Sequence, residues 1–378
     1  MRRVLFLLLL ASPPATALAQ SSQFGVRGLG LPGRWLSARA AASGGAFGLF
    51  DPESSQNPAA LGIVPNLTSV FTIDQAYGHR ENPAGTASTR DSRFPLLSIA
   101  GPVRRNTAAL GLSYSNYTDR DFTIETRSVQ DLRDVPVSVT DSFSSRGGLS
   151  DLRAAGAYRI PNRWLLGVGL HAITGSNRLE SRRSFADSAY LTSVQRAEVS
   201  YSGVGISVGL IRQFGNQFAV AAMARSDGHV NVDRDSARVG TVDLPYTFGF
   251  GFRWQLAPRL QWGAQGIVRT WSAANSDLLQ QGGIGAENTY EVAAGAEYTP
   301  DLKRPSQRPL RFGAYYATLP FPVVPGEQGH ELGMSAGSGI RFAQQRAGID
   351  LSLEHVWRSE GVYRERTFLI SIGMSVRP

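Results

Sequence analysis

Any chemistry in this chain has to come from few residues. Cysteine is absent, which excludes thiolate catalysis, thiolate metal sites and disulfides. The five histidines, at 79, 171, 229, 330 and 355, show neither HxH nor HExxH spacing, so no metal centre is expected. No GxSxG elbow, the strand–turn–helix that lifts a serine nucleophile, is expected either. His355 stands out because alternation puts it on an outward face beside Trp357, where a Ser–His pair would reach membrane lipids. No partner can be named for it, and an interfacial ring beside an aromatic belt is the preferred reading. Gly28-Leu29-Gly30-Leu31-Pro32-Gly33 fits the dinucleotide pattern GxGxxG, with Asp51 following 18 residues later. That site needs a strand before the glycines and a helix after them. Neither is expected here, and the segment reads as a flexible periplasmic lead.

The remaining candidates are charged residues whose spacing assigns them one face of a sheet. Arg153, Arg159, Arg253, Arg259, Arg269, Arg311 and Arg341 share an inferred interior face with Glu291, Glu297, Asp350 and Glu354. Such a ladder would steer a carboxylate-bearing ligand or, the reading preferred here, cross-brace a polar interior.

The elements that hold these residues are strands. Tyr246 to Leu256 alternates Tyr246, Phe248, Phe250, Phe252, Trp254 and Leu256 with Thr247, Gly249, Gly251, Arg253 and Gln255. Side chains on a strand alternate faces, so one face is an aromatic wall and the other is polar or bare. With no helices to cover it, that wall points to lipid. Alternating runs recur near 66–76, 93–101, 106–116, 148–160, 163–173, 196–213, 217–227, 238–256, 259–273, 286–299, 309–318, 331–343, 347–357 and 366–377. Brief turns such as Pro161-Asn162 and Ala257-Pro258 alternate with longer connections at 77–92, 117–147, 174–195, 274–285 and 319–330. Short turns on the periplasmic side and long loops outside mark a transmembrane barrel. The fold expected is all-β: an antiparallel barrel of about 14 strands.

Composition agrees with export to an outer membrane. Arg2 and Arg3, the apolar run Val4 to Ala11 and Ala17-Leu18-Ala19 read as a signal peptide cleaved after Ala19. Past it, no apolar run is long enough for a membrane helix. Glycine is abundant, at 41 of 378 residues, which suits a crowded barrel interior better than exposed strands. Nothing basic and aromatic together suggests nucleic acid. The divisions expected are 1–19 signal, 20–65 N-terminal segment and 66–378 barrel.

That N-terminal segment carries a motif. It runs Trp35-Leu36-Ser37-Ala38-Arg39-Ala40-Ala41-Ala42-Ser43-Gly44-Gly45-Ala46-Phe47, then Asp51-Pro52, then Asn57-Pro58-Ala59-Ala60-Leu61-Gly62. The ARA start, GGAF patch, acidic turn and NPA element resemble the entry motif of the FadL/PorV-like outer-membrane superfamily. The resemblance implies that this segment folds back as a hatch inside the lumen, and that hydrophobic compounds pass beside it. Matched residue by residue, it makes Ser43, Gly44, Gly45, Ala46, Phe47, Asn57, Pro58 and Ala59 the hatch residues. Arg253, Arg269, Arg311, Glu291 and Glu354 are the lumen-lining candidates. The chain departs from the family at its end, Ser375-Val376-Arg377-Pro378, where members commonly carry an aromatic assembly signal.

Two functions are expected from these readings. The first is passive uptake of fatty acids or aromatic compounds through the outer membrane, without cofactor, metal or bond chemistry. The second is a PorV-like barrel whose loops bind secretion-system proteins. Loop 117–147, with Tyr114, Tyr117 and Phe122 near its start, is the expected outer mouth. A lipid hydrolase using His355 is a third, weaker reading.

Overall fold

The computed structural model describes residues 22–280, 283–303 and 308–377, so the expected signal segment lies outside the described residues. Fourteen antiparallel strands close a barrel. They are β1 (Thr68–Asn82), β2 (Gly85–Arg104), β3 (Ala108–Asp119), β4 (Val135–Ile160), β5 (Trp164–Phe185), β6 (Ser193–Phe214) and β7 (Phe218–Ser226). The circuit continues with β8 (Tyr246–Ala257), β9 (Leu260–Arg269), β10 (Thr289–Tyr298), β11 (Leu310–Thr318), β12 (His330–Phe342), β13 (Ala347–Glu360) and β14 (Tyr363–Val376). β14 pairs with β1 from Val376↔Ser69 to Arg364↔Glu81, which leaves no open sheet edge in the membrane.

The faces follow the alternation. Tyr246, Phe248 and Phe250 of β8 are more than half exposed on the outer wall, whereas Thr247 between them is fully buried. On β13, Asp350, Ser352 and Glu354 point inward and Ile349, Leu351 and Leu353 outward. The short turns hold the chain tightly at one end. Asn162 and Arg163, in the three-residue connection Pro161-Asn162-Arg163, adopt φ of 66° and 65°, left-handed backbone that suits a tight hairpin.

At the opposite end, the one expected to be extracellular, the structure departs from the expected loops. β1 and β2 continue to the two-residue connection Pro83-Ala84. The stretch read as loop 117–147 is mostly a ribbon in which Phe122–Leu132 pairs with the tall first half of β4. The strand read as 238–256 is two elements: Ala237–Asp243 hairpins with His229–Arg234, and β8 starts afresh at Tyr246. Apolar alternation stops where lipid stops, but backbone pairing does not need it, so strands with water on both faces escaped the pattern. Segment 274–285, by contrast, carries a short helix, Asn275–Gln280.

Candidate functional site

The N-terminal segment occupies the inside of the barrel. Gln23 donates to the carbonyl oxygen of Arg364 (2.8 Å), and Leu31–Pro32 pairs with Asp119–Thr118, all at the extracellular end. The expectation of a periplasmic lead at Gly28–Gly33 is therefore corrected. These glycines are needed because backbone and rings press on them: a Cβ on Gly30 would strike the Asp119 carbonyl, and one on Gly28 the Phe321 ring. From there the chain descends, passes through the helix Ala38–Ala41, and ends against the opposite wall in the 3₁₀ turn Pro58–Ile63.

Each residue expected in the hatch has a defined place along this path. Ser43, Ala46 and Ala59 have no exposed surface. The Ser43 carbonyl lies so close to the wall that a Cβ on Gly295 or Gly313 would overlap it. Gly44, at φ 67°, donates its N–H to Ser335 Oγ at 2.7 Å. Gly45, at φ 91°, leaves space for the Arg34 guanidinium. Phe47 covers Gly263 of β9. Asn57 caps the turn: its Oδ1 accepts from Ala59 N–H and its Nδ2 donates to the Leu49 carbonyl, each at 3.0 Å. Pro58 opens that turn at the position where a missing N–H costs nothing. Leu49 itself seats against Gly249 and Gly251 of β8.

The charges form a brace between this segment and the wall. Arg34 sends Nε and Nη2 to Glu291 (3.1 and 2.9 Å), comes within 3.6 Å of Glu354, and stacks 3.4 Å from the Tyr315 ring centroid. Arg269 reaches Glu291 at 3.8 Å and lies over the Trp35 ring. Arg311 bridges Glu297 (2.7 Å) and Asp350 (2.8 Å), and Arg341 holds the other Asp350 oxygen at 2.6 Å. Arg253 lies 5.2 Å from the Phe50 ring centroid. Two expected members of the ladder are elsewhere. Arg259 sits in the turn between β8 and β9, and Arg159 is exposed at the rim, donating to the Gly62 carbonyl at 3.0 Å. Arg34 was not expected at all, since no alternation marks an irregular segment.

Above the brace, Leu29, Trp35, Tyr117, Leu149, Ile173, Tyr201, Trp271 and Phe321 belong to one buried apolar cluster. Tyr117, expected at the outer mouth, is thus central to it, and Phe122 is buried too; Asp131, Arg133 and Asp134 are at the ribbon tip. Beside this cluster lies a cavity of about 160 Å³ at the extracellular mouth. Leu29, Tyr201, Val232, Val242, Leu278 and Ile284 form its apolar lining, and Arg27 and Arg120 stand at its edge.

His355 stacks on Trp357 with ring centroids 4.1 Å apart, and its Nε2 has no hydrogen-bond partner among the described residues. A different histidine is better connected. His171 Nδ1 lies 2.9 Å from both Asp151 oxygens, and its Nε2 lies 2.8 Å from Ser207 Oγ, with all three residues buried. These residues come from β4, β5 and β6, and only strand register brings them together. Gly205-Ile206-Ser207-Val208-Gly209 does fit GxSxG, contrary to the sequence reading, but it lies within a strand and makes no elbow.

Comparisons with known proteins fit this architecture. A sequence-family profile described as BamG matches residues 53–238. No curated protein matches the chain. Among solved structures, a Pseudomonas aeruginosa FadL homologue superposes with a TM-score of 0.65 at 14% identity, covering 92% of this chain and 99% of its own. The Pseudomonas putida toluene transporter TodX gives 0.59 at 15% identity, covering 91% and 98%. The Ralstonia pickettii toluene transporter TbuX gives 0.58 at 14%, covering 90% and 98%. With its closed strand circuit and a lumen crossed by its own N-terminal segment, this chain has the 14-stranded antiparallel β-barrel fold of the FadL homologue and the toluene transporters.

Proposed function

We propose that this barrel carries hydrophobic small molecules, such as long-chain fatty acids or aromatic compounds, passively across the outer membrane, with residues 35–62 as the gate. The observation that carries this reading is the mouth cavity, where apolar side chains of the N-terminal segment and of the surrounding elements meet beside Arg27 and Arg120. A compound bound there touches Leu29, which continues directly into the segment that fills the lumen. Moving that segment would open the barrel behind the bound compound. The toluene transporters and FadL homologue of the same fold support the substrate class. They lend no support to the partner-binding alternative.

The test is uptake of a labelled long-chain fatty acid, and separately of labelled toluene, by liposomes carrying the full chain. Deleting 35–62 raises uptake of the transported compound. An unchanged rate in the deletion defeats the gating role. Uptake no faster than that of empty liposomes, for both compounds, defeats the transport reading.

A further inference from the structure

The geometry points to a serine acyl-transfer site in the lumen: Ser207 as nucleophile, His171 as general base and Asp151 as its orienting carboxylate, acting on carboxylic esters with an apolar acyl chain. With His171 protonated on Nδ1, that N–H donates to Asp151 and the Ser207 hydroxyl donates to Nε2, at 2.9 and 2.8 Å. This is the hydrogen-bond order that lets an imidazole withdraw a hydroxyl proton.

Three further features suit the chemistry. Gly169 faces Ser207 across the β5–β6 ladder, and a Cβ there would come within 2.6 Å of Oγ and 3.3 Å of His171 Nε2, so only glycine lets the pair meet here. Arg225 faces Ser207 on the β7 side; it already holds Asp151 and Asp227, and its Nη2 has no partner among the described residues. That N–H is a candidate donor for the oxyanion that forms on the ester carbonyl. Leu149 and Ile173, two positions beyond Asp151 and His171, belong to the apolar cluster and offer an acyl chain its surroundings.

The reaction balances with water as the only co-reactant. Ser207 Oγ bonds to the carbonyl carbon as its proton passes to His171. The ester C–O bond then breaks, and the alcohol leaves with that proton. Water, deprotonated by His171, adds to the acyl carbon; the Ser207 ester breaks, the acid departs, and Ser207 regains its proton. In this conformation Asp151, His171 and Ser207 are buried, so a substrate enters only when the covering segment moves. Trp35 of that segment packs under Arg225 at 4.5 Å and is held at φ 53°, a costly angle for a tryptophan. Arg34 beside it anchors the closure.

The experiment treats the full-length folded barrel with a fluorophosphonate and locates the adduct by peptide mass. The expected result is a single adduct on Ser207, formed faster in Arg34→Ala. It is absent in Ser207→Ala and forms ~100-fold or more slowly in His171→Gln. Hydrolysis of p-nitrophenyl acyl esters follows the same order, and Asp151→Asn slows it while sparing barrel folding, read by heat-modifiable gel mobility. No Ser207 adduct on folded wild-type and Arg34→Ala protein overturns the proposal. So does undiminished labelling in folded His171→Gln. Labelling of wild type does not depend on uptake, so this site and the transport reading fail separately.

Discussion

Removing the Arg34 guanidinium is the sharpest test of what holds the N-terminal segment in place. In Arg34→Ala the segment loses two hydrogen bonds to Glu291, the approach to Glu354 at 3.6 Å and the stack on Tyr315. It also loses the 2.7 Å hydrogen bond to the Gly44 carbonyl, which pins the glycine turn to its own strand of chain. Glu291 and Glu354 are 3% and 7% exposed at their side chains, so both would remain as buried carboxylates. Breaking one side of a buried pair costs about 3–5 kcal/mol. Glu291 keeps Arg269 at 3.8 Å, which favours the lower end. At ~1.4 kcal/mol per tenfold, 3 kcal/mol shifts the ratio of closed to displaced segment by roughly a hundredfold.

The assay is protease cleavage of the segment in folded barrels, read beside conductance in a planar bilayer. Both rise in Arg34→Ala. Arg34→Lys, which keeps a charge but loses the fork and the flat stack, falls between. Adding Glu354→Gln to Arg34→Ala removes the stranded charge and restores part of the closure. If Arg34→Ala barrels are as protected and as silent as wild type, the ion pairs do not hold the segment, and the reasoning fails.

Other consequences are open to measurement. Phe250→Arg places a charge near mid-membrane on the lipid face, costing about 2–4 kcal/mol; membrane insertion in a folding assay falls, whereas Gly249→Ala, whose Cβ would come within 3.2 Å of Leu49, loosens the segment without impairing insertion. Asn57→Ala removes the cap and strands the Leu49 carbonyl, a loss of about 1–2 kcal/mol that appears as faster proteolysis of the segment. Gly313→Val drives a side chain into Ser43, so the segment is displaced and conductance rises while the barrel still folds. Leu278→Glu puts a carboxylate into the mouth cavity and lowers uptake of hydrophobic compounds several-fold, without changing protease protection of the segment.

The period of two decided the barrel, because a lipid-facing strand must show apolar residues at alternate positions. Phe248 and Phe250 outside, Thr247 and Gly249 inside, follow from that alone. The small-residue stretch around Gly44 and Asn57 was legible through its motif, and its close fit to wall glycines gives that composition a physical cause. Beyond the membrane the same rule fell silent, so the Phe122–Leu132 ribbon and the hairpin ending at Asp243 passed for loop or merged strand. Long-range pairing decided the rest. Arg34 lies 257 positions from Glu291, and nothing local to either residue signals the other. Asp151, His171 and Ser207 lie on three different strands, where shifting one ladder by a single residue would turn its member out to lipid. The sequence determined which residues face inward; only closure of the barrel around its N-terminal segment determined which of them meet, because contacts between strands depend on register and not on neighbouring residues.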